Sequence, residues 1–63
     1  MDIDRARKEL RQLLLFRNTS RLSTAFLSIA NDYLNYNYEM SNAMLVSMLT
    51  KLREQPTRLE PAL

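Results

Sequence analysis

The sequence of 63 residues contains no cysteine, no histidine and no glycine, and its only prolines are Pro56 and Pro61. Without cysteine or histidine, the chain lacks thiolate nucleophiles, imidazole bases and the usual ligands of zinc and haem. Without glycine, it cannot build the phosphate-binding and dinucleotide-binding loops that depend on glycine's backbone freedom. We therefore expect a protein that is not an enzyme and that has neither a metal site nor a cofactor.

The length and composition of the chain favour a single small helical domain. Leucine is abundant, β-branched residues are scattered, and no glycine interrupts the sequence, all of which suits helices better than strands. A chain of this length can build only one core. We predict an all-α fold, either a small helical hairpin or a three-helix unit, that associates into a helical-bundle homodimer.

The apolar runs of the sequence are short. The longest contain four residues, as in residues 13–16, whereas a membrane-spanning helix needs about 18 or more apolar residues. The N-terminal residues become rich in arginine without an apolar stretch or a small-residue cleavage site, so they do not predict a secretory signal. We expect a soluble, cytoplasmic protein that does not act at a membrane.

The first predicted helix covers residues 3–17. Its apolar residues recur at steps of three and four, which places them on one side of a helix. They are Ile3, Ala6, Leu10 and Leu13. Asp2 can act as the N-cap, and Asp4 places a negative charge in the first turn, where the helix dipole favours it.

Polar residues at 17–20 predict a break, after which Thr19 or Ser20 can cap a second helix over residues 21–36. This helix has two apolar stripes, so more than one of its sides favours contact with another surface. The first stripe comprises Leu22, Phe26, Ile29, Tyr33, Tyr36 and Met40, and the second comprises Leu27, Ala30 and Leu34.

The asparagine-rich residues 35–39 predict a turn, because asparagine tolerates left-handed backbone geometry. An unbroken helix through Tyr38 is the alternative. Ser41 or Asn42 can cap a third helix over residues 42–55, which would complete a helical domain of residues 1–55. The two prolines in residues 56–63 then predict a flexible C-terminal tail.

Charge is distributed unevenly along the chain. Residues 1–21 hold six basic and three acidic side chains, whereas Asp32 and Glu39 are the only charged residues in 22–50. These two carboxylates lie seven residues apart across the predicted turn, which gives little basis for acid–base catalysis. Exposed surfaces usually carry charges of both signs, so a charge-poor segment with two apolar stripes indicates a surface that a partner covers. We expect that partner to be a second copy of the chain, another protein, or both.

Aromatic and methionine side chains of this segment are the candidate partner-binding residues, because rigid aromatic rings and flexible thioethers are typical of binding surfaces. The candidates are Phe26, Tyr33, Tyr36, Tyr38, Met40, Met44 and Met48. Packing in the core of a monomer or in a dimer seam is the alternative for each of them.

Basic side chains concentrate in the first third of the chain and are candidate phosphate contacts. They are Arg5, Arg7, Lys8, Arg11, Arg17 and Arg21. A solvated helix face is the alternative, particularly because Asp4 can pair with Lys8 four residues later. In a protein–protein interface, Arg17 and Arg21 would instead provide charges at the rim.

These patterns lead to a functional prediction. We expect a small regulatory or adaptor protein that acts by protein–protein binding through the charge-poor helical surface of residues 22–52. A nucleic-acid-binding helical dimer that uses the basic first helix is the alternative, as is a structural subunit of a larger assembly.

Overall fold

A computed structural model describes residues 1–36 and 38–58 of the chain. Its three helices are α1 (Ile3–Phe16), α2 (Thr24–Tyr36) and α3 (Asn42–Arg53). The described residues form no strand, and their only β-type pairing is an isolated bridge between Arg17 and Thr57. The predicted all-α fold is therefore confirmed in its three-helix form. None of the described helices is long and apolar enough to cross a lipid bilayer.

Each helix begins at a residue whose side chain accepts a hydrogen bond from a first-turn backbone amide. Asp2 accepts from the amide of Arg5 at 3.2 Å, and Ser41 accepts from that of Met44 at 3.1 Å, as the sequence predicts. The second helix begins later than predicted, because Ser23 accepts from the amide of Phe26 at 3.0 Å. Such contacts satisfy amides that have no partner within the helix.

The late start of α2 follows from the hydrogen bonds of the preceding loop. The side chain of Asn18 accepts a bond from the amide of Ser20 at 2.9 Å, and the carbonyl of Thr19 accepts one from the amide of Leu22 at 3.0 Å. These bonds close a turn that uses the residues we predicted as caps. Serine and asparagine side chains can form hydrogen bonds with nearby backbone groups, and these bonds compete with the hydrogen bonds of a helix.

The core lies around α1, which packs against both α3 and α2. Leu10, Leu45 and Leu52 are fully buried, one from α1 and two from α3. The remaining buried residues are Ala6, Leu13, Ala30, Tyr33, Leu34, Met48 and Leu49. Leu14, Leu22, Phe26 and Met40 pack against this core while remaining partly exposed. The predicted stripe of α1 thus faces the core, although its first member, Ile3, stays partly exposed.

The connection between α2 and α3 is a non-helical segment. Helix α2 continues through Tyr36, and residues 38–41 are not helical, so an unbroken helix through Tyr38 is excluded. Asn37, which belongs to the predicted turn, lies outside the described residues. After the connection the chain returns toward α1, so that α2 and α3 both lie beside α1.

The start of the C-terminal segment is held against the end of α1, although we predicted a flexible tail from residue 56. The carbonyl of Pro56 accepts a hydrogen bond from the amide of Asn18 at 2.8 Å, and the amide of Arg58 donates to the carbonyl of Phe16 at 2.7 Å. Residues 56–58 are therefore attached to the helical domain. The rest of the predicted tail, residues 59–63, lies outside the described residues.

Arginines bind the C-terminal carbonyls of all three helices, where many proteins use glycine. The guanidinium of Arg7 donates to the carbonyls of Tyr33 and Leu34 at the end of α2, at 3.3 and 3.2 Å. Its central carbon also lies 4.6 Å from the centre of the Tyr33 ring, within the range of a cation–π interaction. A cation at this position also complements the negative end of the helix dipole.

The other two helices end on arginines in the same manner. Arg17 donates to the carbonyls of Arg53 and Gln55 at 2.8 Å each, which holds the end of α3. Arg58 donates through its side chain to the carbonyl of Leu14 in α1 at 3.4 Å. Each helix end is thus held by a side chain from another part of the chain.

Candidate functional site

A groove of about 400 Å³ lies between α2 and α3, on the charge-poor segment that the sequence marks as a binding surface. Its walls are mostly apolar or small side chains, and Lys51 is its one charged wall residue. The walls are formed by Ser23, Ala25, Phe26, Ile29, Met44, Ser47, Met48 and Lys51. We call this feature the α2–α3 groove.

Two large side chains leave much of their apolar surface in water at this groove. Ile29 is 44% exposed and Met44 is 47% exposed, whereas Phe26 is partly buried against the core. Met44 and Phe26 were among the predicted partner-binding residues, and Ile29 was not. The periodicity of α2 gave the relevant signal, because Ile29 belongs to the stripe that also contains Phe26.

The structure places two of the predicted partner-binding residues in the core. Tyr33 is only 5% exposed and Met48 is only 4% exposed. Met48 closes the floor of the α2–α3 groove, and Tyr33 lies beneath the guanidinium of Arg7. Neither side chain is available as a protruding anchor on this monomer, because both belong to the buried core.

The remaining three candidates lie near the α2–α3 connection. Tyr36 and Tyr38 are largely exposed, and their ring centres are 5.8 Å apart with a tilt of 36° between the ring planes. Tyr38 and Met40 line a second depression of about 300 Å³. The predicted binding residues therefore divide between two surfaces and the core.

The predicted phosphate contacts divide in a similar way. Arg7 and Arg17 hold helix ends within the fold, so their guanidinium groups are engaged by backbone carbonyls. The other four are Arg5, Lys8, Arg11 and Arg21, all of which are exposed. The predicted pairing of Asp4 with Lys8 does not form, since the only salt bridge among the described residues joins Glu9 to Arg53.

The Glu9–Arg53 salt bridge links α1 to α3 on the surface. Arg53 donates two hydrogen bonds to the carboxylate of Glu9, at 2.6 and 2.7 Å. These hydrogen bonds lower the pKa of Glu9 below its ordinary value and raise the pKa of Arg53, and the attraction of opposite charges adds to both shifts. The bridge lies outside the α2–α3 groove, at a depression between α1 and α3.

The two acidic residues of the charge-poor segment, Asp32 and Glu39, lie apart from each other in the surface depressions of the described residues. Glu39 lines the second depression, which Asp32 does not line. No group of three or more acidic residues comes together there in a way that could hold a metal ion. The walls of the α2–α3 groove contain neither of these carboxylates and are mainly apolar.

Comparisons of the chain with models of protein families, with curated proteins and with solved structures find no match. The interpretation of its function therefore depends on the surfaces described above.

Proposed function

We propose that this protein is a small, non-enzymatic regulator or adaptor that binds other protein chains through the α2–α3 groove. Its mechanism is occlusion or bridging, in which one protein surface covers or links another, and no bond is made or broken. The cytoplasm is the location that we propose, and a homodimer is the state that we propose in solution.

The partial exposure of Ile29 and Met44 is the observation that carries this proposal. Fully burying a side chain of this size is worth about 1.5 to 3 kcal/mol. Each of these two is already about half buried, so a partner gains about 1 kcal/mol from each. Phe26 also lines the groove, and its remaining exposed surface adds to this gain. Exposed apolar side chains that cluster in a groove are typical of binding sites.

The low charge of the groove supports a protein partner over a nucleic acid. Lys51 is its one charged wall residue, and phosphate backbones need several cations to neutralise them. Two of the six predicted phosphate contacts, Arg7 and Arg17, are engaged inside the fold. Nucleic-acid binding through α1 and a role as a structural subunit stay predictions from the sequence, with no geometric feature that favours either.

The methionine of the groove suits a binding role because its side chain is flexible and polarisable. Met44 stands on the rim with an unbranched thioether that adopts many rotamers at low cost. Ala25 and Ser47 beside it are small, which lets a partner backbone approach closely. A groove with one adaptable wall and small neighbours accepts an apolar helix face.

Photo-crosslinking tests this proposal directly. A photoreactive phenylalanine analogue is placed at Ile29 in the groove and, in a second variant, at Gln12 on the exposed side of α1. Both variants are irradiated in an extract of cells that make the protein. We expect discrete crosslinked protein adducts from position 29 and not from position 12, and an excess of unmodified protein should reduce their yield.

A matched substitution separates binding from folding. Met44→Gln keeps the length of the side chain but makes it polar, so we expect fewer adducts from position 29 with unchanged helicity by circular dichroism. The proposal is overturned if position 29 gives no adducts, or if position 12 gives them equally.

A further inference from the structure

A further depression, of about 360 Å³, adjoins the α2–α3 groove where α2 begins. The groove and this depression share three wall residues, so together they form one continuous surface channel. The shared residues are Ser23, Phe26 and Lys51. The other walls of the depression are formed by Arg21, Leu22, Glu54 and Gln55. We call this feature the Arg21 depression.

The charged side chains of the Arg21 depression sum to one positive charge. Arg21 and Lys51 contribute two cations, and Glu54 contributes one carboxylate. All three residues are exposed, and none of them forms a salt bridge with another described residue. The two cations are therefore not neutralised by a close ion pair within the described part of the chain.

The surroundings of the Arg21 depression add no net negative charge. A smaller depression of about 240 Å³ shares Arg21 and Gln55 with it, and Arg21 is the one charged residue in its walls. The end of α3 lies at the same place, and the carbonyls of a helix end carry partial negative charge. Arg17 donates hydrogen bonds to the carbonyls of Arg53 and Gln55 there, so its guanidinium offsets that charge. The channel thus has an apolar end and a cationic end.

We propose that the occupant of the α2–α3 groove is an acidic amphipathic segment of another protein. Its apolar side chains fill the groove between Ile29 and Met44, and its carboxylates lie in the Arg21 depression beside Lys51 and Arg21. Complementary charges of this kind set the orientation and the specificity of an interface. This inference rests on the proposed function and adds to it the chemical class of the partner.

The geometry of α2 sets the spacing of the two parts of the partner. Ser23, which caps α2, precedes Ile29 by six residues, which corresponds to about 9 Å along the helix axis. That distance spans about six residues of a helical partner or about three residues of an extended one. The carboxylates of the partner should therefore lie to one side of its apolar residues and not among them.

Two cations beside an apolar groove suit a protein segment better than a nucleic acid. A nucleic acid carries phosphates along its whole length, so it would place some of them over the apolar walls as well. Ile29 and Met44 would then keep their apolar surface without a favourable contact. A protein segment can instead place apolar side chains at one end of the channel and carboxylates at the other.

Peptide selection tests the chemistry of the occupant. A phage library of random peptides is selected on the immobilised protein, and we expect the enriched peptides to carry apolar residues with aspartate or glutamate to one side. Selection on the double variant Arg21→Glu with Lys51→Glu should instead enrich lysine and arginine, because the depression then carries carboxylates alone. The matched control, Lys8→Glu with Arg11→Glu on the exposed side of α1, should enrich the same acidic peptides as the wild type.

Single substitutions measure each part of the channel with one enriched peptide, whose Kd is followed by fluorescence anisotropy. Lys51→Gln should weaken binding about two- to fivefold, because it removes an attraction, and Glu54→Gln should strengthen binding about twofold, because it removes a repulsion. Met44→Gln should weaken binding about fivefold through the loss of apolar contact. Circular dichroism of every variant verifies that the helices are retained.

Several results would overturn the inference. One is selection that yields no acidic excess on the wild type, and another is the same set of peptides on the charge-reversed variant with intact helicity. Displacement of an enriched peptide by single-stranded DNA would assign the depression to phosphates. Purified protein that crosslinks to itself from position 29 would assign the groove to a second copy of the chain.

A failure of this inference is distinguishable from a failure of the proposed function. Peptides that depend on Met44 but not on Lys51 or Arg21 would overturn the acidic partner and leave the groove as a binding site. The proposed function itself fails when position 29 gives no adducts with other proteins in the cell extract.

Discussion

Replacing Arg7 by methionine tests whether an arginine from α1 stabilises the end of α2. The substitution keeps an unbranched apolar stem over the Tyr33 ring but removes the guanidinium group. Two hydrogen bonds to α2 carbonyls are lost, at 3.3 and 3.2 Å, together with the cation–π contact at 4.6 Å. The affected carbonyls belong to the last turn of α2, where no later amide of the helix can replace the lost donor.

The size of the effect can be worked from these contacts. Hydrogen bonds from charged groups contribute about 1.5 to 3 kcal/mol, but these two are long, so we take about 1 kcal/mol for each. The cation–π contact adds about 0.5 to 1 kcal/mol. The expected loss of about 2.5 to 3 kcal/mol is large for a domain of this length, whose stability is on the order of 3 to 9 kcal/mol.

Urea and thermal unfolding, followed by circular dichroism at 222 nm, measure this loss. We expect Tm to fall by about 10 to 20 °C in Arg7→Met. Arg11→Met is the matched control, because Arg11 is exposed on the same helix, and its effect should stay within about 0.5 kcal/mol. Arg7→Lys keeps the charge without the forked geometry and should recover part of the loss.

All variants must be compared at one protein concentration, because dimerisation would raise the apparent stability by mass action. If Arg7→Met were as stable as Arg11→Met under these conditions, the proposed role of Arg7 at the end of α2 would be refuted.

Two further predictions concern the other polar contacts between helices. Arg17→Met removes two hydrogen bonds at 2.8 Å from the end of α3. These bonds are shorter than those of Arg7, so the free energy of unfolding in urea should fall by about 2 to 3 kcal/mol. Arg21→Met, which changes an exposed arginine, should have little effect, and equal effects of the two variants would contradict the interpretation. The Glu9–Arg53 salt bridge lowers the pKa of Glu9 in the folded protein, so its stabilising contribution is present above the ordinary pKa of 4.5 and is lost as the pH falls through the lower folded value. The difference in the free energy of unfolding between wild type and Glu9→Gln should therefore shrink as the pH falls below 4.5, and it should also shrink in high salt. A difference that does not change with pH would contradict this role.

The local signals of the sequence were sufficient to predict the helices and two of their starts. Asp2 and Ser41 act as N-caps because capping depends only on residues three positions apart. The start of α2 was predicted too early, since several hydroxyl and amide residues precede it and each can cap a helix. Which of them does so depends on the turn at Asn18, and that residue also bonds to Pro56.

The arginine contacts at the helix ends could not be predicted from local patterns. Arg7 reaches residues 26 and 27 positions away, and Arg17 reaches residues 36 and 38 positions away. These distances in sequence are spanned only after the three helices pack. Charge pattern alone therefore assigned both arginines to a candidate phosphate-binding surface.

The sequence indicated the segment that forms the α2–α3 groove but not all of the residues that line it. The scarcity of charge between residues 22 and 50 identified the segment, and Met44 and Phe26 do line the groove. Periodicity could not decide which members of the α2 stripe would face α1, because a wide apolar stripe allows several rotations of the helix. In the structure, the Tyr33 side chain is buried in the core, whereas the Ile29 side chain is partly exposed.

The three arginines make the ends of α1 and α3 depend on each other and attach the end of α2 to α1. Arg7 in α1 holds the end of α2, Arg17 after α1 holds the end of α3, and Arg58 after α3 holds the end of α1. Fraying at the end of α1 or of α3 would release an arginine that the other of these two ends needs. The ends of α1 and α3 are consequently expected to open together and not one at a time.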